Sequence, residues 1–191
     1  MHKPSYYMVN AITLYRLLAA PVLLTLLFNH ELAIFKWLLA VSFLTDAVDG
    51  YLARKFKVTS VFGSILDSVS DDLTTAVAII GIALINPGFL KKEIVWIVIQ
   101  VVFFITQIGF ALFRYGKISS FHTYLAKFVT VFQAIFLVLF YWLPEPVYPL
   151  FYFVAVLTIL DLLEEIILVL IIPKWETDIK GLYWILKRQR T

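Results

Sequence analysis

The sequence predicts an all-α fold: a polytopic membrane protein of six transmembrane helices, followed by an amphipathic terminal helix lying in the interface. Three observations carry that prediction. Hydrophobic residues make up 62% of the 191 residues and charged residues 15%, with a mean hydropathy of +0.91, which is more apolar surface than one soluble core can hide. The apolar residues gather into six stretches, each close to the roughly 20 residues that a bilayer-spanning helix needs. Basic residues are also shared unequally between alternate connections, which sets a direction across the membrane.

The predicted spans are 9–28, 32–52, 61–86, 93–114, 121–143 and 147–172, and each ends on residues that interrupt a helix. Asn29-His30 follows the first span, Arg54-Lys55-Phe56-Lys57 the second and Asn86-Pro87-Gly88 the third. Gly116-Lys117 follows the fourth, Pro144-Glu145-Pro146 the fifth, and Pro173 closes the sixth. The tail 174–191 mixes Trp175, Ile179, Leu182, Tyr183, Trp184, Ile185 and Leu186 with basic residues, the pattern of a helix in the headgroup layer. With no soluble segment, repeat or low-complexity tract, residues 1–191 read as a single six-span transmembrane domain. The first residues, MHKPSYYMVN, lack the apolar core and cleavage site of a signal peptide, so the whole chain is expected in the mature protein.

One set of connections holds Lys3, Arg54, Lys55, Lys57, Arg114, Lys117, Lys174, Lys180, Lys187, Arg188 and Arg190, against Lys36, Lys91 and Lys92 on the other. The richer side is expected to be cytoplasmic, and with it both termini and the 53–60 connection. The net charge of +3 reflects this asymmetry, and the scatter of the basic residues speaks against a nucleic-acid partner. The absence of cysteine excludes disulfides, thiolate nucleophiles and thiolate metal sites.

Against this background the stretch DAVDGYLARKFKVTSVFGSILDSVSD, residues 46–71, is costly. Asp46 and Asp49 are three residues apart and Asp67 and Asp71 four, so on helices each pair shares a face about one turn apart. An unpaired aspartate near hydrocarbon costs roughly 2.5–3.5 kcal/mol at a helix centre, and clustering like charges adds repulsion. One or two divalent cations remove both penalties. Oxygen donors without nearby histidine or thiolate favour Mg2+, with Mn2+ or Ca2+ as substitutes. Two such ions are a device for phosphoryl transfer. Gly50, Ala53 and Gly63 leave the backbone open to a ligand, and Arg54 offers a cation for phosphate. Intramembrane carboxylates also mark ion pathways, so a divalent-cation transporter is the alternative from another class; its carboxylates have no need of the Gly/Ala/Arg spacing.

Asp46, Asp49, Gly50, Ala53, Arg54, Gly63, Asp67 and Asp71 match at every fixed position the signature of the CDP-alcohol phosphotransferase family, which this chain therefore resembles. The resemblance implies six transmembrane helices, a homodimer in membrane lipid, and displacement of CMP from CDP-diacylglycerol by a small polar alcohol. It implies that Asp46, Asp49, Asp67 and Asp71 surround the metal ions and that Asp71 is the base for the acceptor hydroxyl. Asp46, Gly50, Ala53 and Gly63 would line the CDP-lipid pocket, with Arg54 on the phosphates. NAITLYR, residues 10–16, and AKFVTVFQ, residues 126–133, are similar to segments of phosphatidylglycerophosphate-synthase-like members, with Ala126 in place of a glycine. Arg114, Lys117 and Lys127, with His122 nearby, suit a phosphorylated acceptor: glycerol 3-phosphate first, an inositol phosphate next. Uncharged inositol or serine is the alternative. Asp72 is expected at the surface or behind the site, and Asp161, Glu164 and Glu165 have no role assigned by the sequence.

Overall fold

The computed structural model describes residues 4–56, 61–119, 121, 123–177 and 179–190. For 4–13, 16, 46, 47, 49–56, 61–65, 67, 68, 189 and 190 it describes the helical backbone alone. The described residues form seven helices and no β-sheet: α1 Pro4–Phe28, α2 Leu32–Phe56, α3 Val61–Ile85, α4 Pro87–Tyr115, α5 Tyr124–Trp142, α6 Tyr148–Ile171 and α7 Leu182–Arg190. The all-α expectation is met. Two of these, α4 and α5, are long and apolar enough to cross a membrane, while the apolar run of α6 is broken by Asp161, Glu164 and Glu165.

Helix boundaries depart from the expected spans where local capping decides. The break at Asn86-Pro87-Gly88 is one residue long: α4 starts at Pro87 rather than at 93, because the Phe89 N–H donates to Asn86 Oδ1 at 3.0 Å and proline suits the first helical position. Conversely, α5 starts at Tyr124 rather than 121, since Thr123 Oγ1 accepts the Ala126 N–H at 3.0 Å. The tail is helical only from Leu182. Before it the chain pairs with the connection ahead of α5, the Ile179 N–H donating to the Phe121 carbonyl at 2.7 Å and the Tyr124 N–H to the Lys180 carbonyl at 3.2 Å. Helix α2 runs on through Arg54 to Phe56, so Asp46, Asp49, Gly50, Ala53 and Arg54 all lie on one helix.

The chain divides into two compact units, Met1–Phe89 and Leu90–Thr191. In the first, α1 packs against both α2 and α3. Its interior is made by Ala20, Leu23 and Leu27 of α1, Phe35, Leu39 and Ser42 of α2, and Ser70, Thr74, Val77, Ala78 and Ile82 of α3. These positions recur every three to four residues on each helix, one stripe per helix facing the same core.

In the second unit α5 packs on α6 through aromatic rings, Phe132 to Phe153 at 5.2 Å and Phe136 to Phe151 at 5.5 Å between centroids. A second cluster joins Ala111, Phe121, Leu168, Val169, Ile172, Ile179 and Ile185, so α7 is held by its buried face. Tyr183, Trp184 and Leu186 of α7 stay exposed, as do Val95, Val102, Ile105 and Phe113 of α4.

Candidate active site

The site expected from the sequence falls on the first unit. Helices α2 and α3 are joined by only four residues, 57–60, which lie outside the described residues. The helical backbone sets Asp46 and Asp49 about 4.5 Å apart along α2, and Asp67 and Asp71 about 6 Å apart along α3. Measured from the 57–60 connection, position 49 lies at nearly the depth of 67, and 46 at that of 71. The two pairs therefore sit at corresponding levels of consecutive helices.

Of these four side chains, that of Asp71 is described, and it is half-buried. The side chains of Asp46, Asp49, Ala53, Arg54 and Asp67, and the surroundings of Gly50 and Gly63, lie outside the described residues. Asp72, expected at the surface or behind the site, is exposed.

One turn deeper than the aspartates the interior is still polar. Ser42 and Thr74 are each 1% exposed, and their hydroxyls have no hydrogen-bond partner. Ser70 is fully buried and satisfies its hydroxyl on the Leu66 carbonyl at 2.8 Å. Ser42 precedes Asp46 by four residues, and Thr74 follows Asp71 by three and Asp67 by seven, so the stripe of buried positions on each helix runs on into the aspartate positions. Among the described residues no three potential ligand side chains cluster. Four aspartates at corresponding levels of α2 and α3 would suit a hard divalent cation, and two unpartnered hydroxyls lie one turn further along the same stripes.

The candidate acceptor residues are all in the second unit, each with a separate neighbour. Arg114 Nη1 donates to the Leu170 carbonyl at 2.9 Å, capping the C-terminal end of α6. Lys117 Nζ lies 5.2 Å from the Trp175 ring, and Lys127 Nζ lies 5.7 Å from the Tyr124 ring on the first turn of α5. His122 and the Arg16 side chain lie outside the described residues.

Two of the three acids of α6, left without a role by the sequence, acquire partners, while Asp161 Oδ1 is buried without one. Glu165 Oε2 accepts from Gln107 Nε2 at 2.7 Å, and the same buried amide contacts Ser119 Oγ. Glu164 Oε1 accepts the Leu182 N–H at 2.8 Å, which caps α7. The hydroxyl of Tyr115 bonds the carbonyls of Val169 and Ile172 at 3.2 and 2.8 Å. Three acids within two turns of an apolar helix were the sequence signal for this network; its partners on α4 and α7 had none.

Comparison with known proteins gives the site its context. The chain is 39% identical over 71 residues, 37% of its length, to CDP-diacylglycerol–inositol 3-phosphatidyltransferase of Saccharomyces cerevisiae, of which 32% is covered. It is 30% identical over 139 residues, 70% of its length, to a probable phosphatidylglycerophosphate synthase of Mycobacterium tuberculosis, of which 65% is covered. A CDP-diacylglycerol–glycerol-3-phosphate 3-phosphatidyltransferase of Pseudomonas fluorescens is 36% identical over 74 residues, with 37% of this chain and 38% of the relative covered. Each alignment thus spans less than two thirds of the relative. No solved structure matches. The family model for CDP-alcohol phosphatidyltransferases matches residues 6–171, which takes in all of α2 and α3 and their eight-residue signature, and the chain belongs to that family.

Proposed function

We propose that this protein transfers the phosphatidyl group of CDP-diacylglycerol to a small polar alcohol, releasing CMP, and that the preferred acceptor is glycerol 3-phosphate. The observation that carries this reading is the complete signature, Asp46 to Asp71, lying on two consecutive helices within the family match. Glycerol 3-phosphate is favoured over an inositol phosphate because the mycobacterial relative, named as a phosphatidylglycerophosphate synthase, aligns over 139 residues against 71 for the yeast inositol enzyme. The inositol reading, with phosphorylated or free inositol as acceptor, keeps support from that relative's 39% identity.

In this proposal Asp46, Asp49, Asp67 and Asp71 hold the divalent metal, two Mg2+ ions or Mn2+ in their place. The metal supplies charge neutralisation on the diphosphate oxygens. Gly50, Ala53 and Gly63 let the cytidine and diphosphate approach the backbone, and Arg54 pairs with the phosphates. Asp71 takes the proton of the acceptor hydroxyl. The freed oxygen attacks the lipid-bearing phosphorus, and the bond to the CMP phosphate breaks with its electron pair leaving on CMP. Arg114, Lys117 and Lys127 meet the phosphate of the acceptor.

The setting proposed is a single six-span catalytic domain over 1–191, homodimeric and multi-pass, with the active site and both termini cytoplasmic and α7 in the interface. The inside excess of basic residues supports the orientation. The exposed Tyr183, Trp184 and Leu186 beside Lys187 and Arg188 support the interfacial helix. Purified protein given CDP-diacylglycerol and an equimolar panel of glycerol 3-phosphate, inositol phosphate, inositol and serine tests the acceptor. Phosphatidylglycerophosphate should dominate the products, and a dominant uncharged product would move the reading to the inositol or serine class.

A further inference from the structure

The candidate active site leaves two buried hydroxyls unexplained. Ser42 and Thr74 are 1% exposed and unpartnered, although a helical hydroxyl usually finds the carbonyl four residues back, as Ser70, Thr130 and Thr158 do here. A buried, unpaired hydroxyl is costly, and a valine or alanine there would avoid the cost. Both sit at matching depth from the 57–60 connection, one turn below positions 46 and 71. Residues three and four apart share a helix face, so Ser42 lies on the face of α2 that carries position 46, and Thr74 on the face of α3 that carries position 71.

We propose that Ser42 and Thr74 hold ordered water beneath the aspartate cluster, and that through this water they fix the orientation of the carboxylates at 46 and 71. They are positioning residues for the metal site. A hydroxyl is suited to the task because it donates to a carboxylate-bound water while accepting from another, and it adds no charge. Buried water with two to four polar partners satisfies such groups in folded proteins. Carboxylates that ligate a metal are themselves commonly hydrogen-bonded, and loss of such partners typically costs about 10–100-fold in metal affinity or activity.

This inference rests on the four aspartates holding a divalent ion, so the experiment must separate the two ideas. Mn2+ binding to the full-length protein in lipid nanodiscs is titrated by electron paramagnetic resonance, with no substrate present, alongside thermal unfolding without metal. Thr74→Val and Ser42→Ala should each weaken Mn2+ binding by about 10-fold. Unfolding without metal should be little changed, because neither hydroxyl fastens one helix to another. Thr74→Ser should bind as the unaltered protein does. Asp67→Asn is the control for the metal reading and should lose binding altogether. If Asp67→Asn matters and the two hydroxyl variants bind Mn2+ normally, the hydroxyl tier is only structural and the inference is overturned. Should Asp67→Asn itself leave Mn2+ binding intact, the metal reading falls and the inference with it.

Discussion

Buried polar groups in the two units of the chain are treated differently. In Leu90–Thr191 they fasten helices: Gln107 bonds Glu165 and contacts Ser119, Glu164 caps α7, and the buried Glu93 accepts the Tyr152 hydroxyl at 2.9 Å. In Met1–Phe89 the hydroxyls of Ser42 and Thr74 fasten nothing, and they lie on the stripes that lead to the aspartate positions. Polar side chains are expensive in an apolar setting and persist where they join the fold or serve chemistry. The second unit spends most of them on the fold. In the first, two buried hydroxyls go unpaired, an arrangement that costs stability and that the proposed ligand role of the aspartates would explain.

The sharpest way to break this contrast is in the first unit. Asp49→Asn should reduce turnover to background while the protein still folds, because the amide removes a charge the metal needs but is easier to keep in a bilayer. Asp71→Asn should lose about 10²–10⁴-fold in kcat with CDP-diacylglycerol binding retained, as expected for removal of a general base. Lost lipid binding with normal kcat would exchange the roles assigned to the two residues.

Smaller effects belong to the second unit. Lys127→Ala should raise KM for glycerol 3-phosphate by roughly 10–100-fold, the value of a charge-assisted contact of about 1.5–3 kcal/mol, with KM for CDP-diacylglycerol unchanged. Arg114→Ala should do the same and also lower the melting temperature, since it uncaps the Leu170 carbonyl; Lys117→Ala should do less. Unaltered acceptor kinetics in both Arg114 and Lys127 variants would overturn the proposed role of these residues toward the acceptor.

Glu165→Ala leaves Gln107 without that carboxylate and should cost about 1–3 kcal/mol of stability, read by thermal unfolding, with kcat per folded molecule unchanged. Least of all, Asp161→Leu should be neutral or stabilising, because Asp161 Oδ1, like Glu164 Oε2 on the same helix, is buried and without a hydrogen-bond partner. A large loss on that substitution would reveal a role for Asp161 that the fold does not show.

The helices were legible because an apolar run needs nothing beyond its own residues to declare itself. Their ends were less so. Asn86 read as part of a break and Thr123 as part of a span, yet each caps a helix through its side chain, so that α4 starts earlier, at Pro87, and α5 later, at Tyr124. The tail kept its amphipathic end but lost its first turns to a backbone pairing with Phe121 and Tyr124, a contact across more than fifty residues that no local pattern announces. The aspartate signature was readable since its spacing is local and each residue type has one chemical reason to be there. Ser42 and Thr74 were invisible among ordinary helical residues, because what marks them is burial without a partner. Glu164 and Glu165 were conspicuous but mute until Leu182 and Gln107 were brought to them.

The central claim is that the α2–α3 aspartates run a metal-dependent transfer. Its most direct measurement is CMP release from CDP-diacylglycerol by the purified protein with glycerol 3-phosphate, before and after chelation and on return of Mg2+. The account predicts CMP release that requires the acceptor, vanishes on chelation, returns with Mg2+ and is absent in Asp49→Asn at every metal concentration. CMP release that is indifferent to chelation, or undiminished in Asp49→Asn, would contradict it.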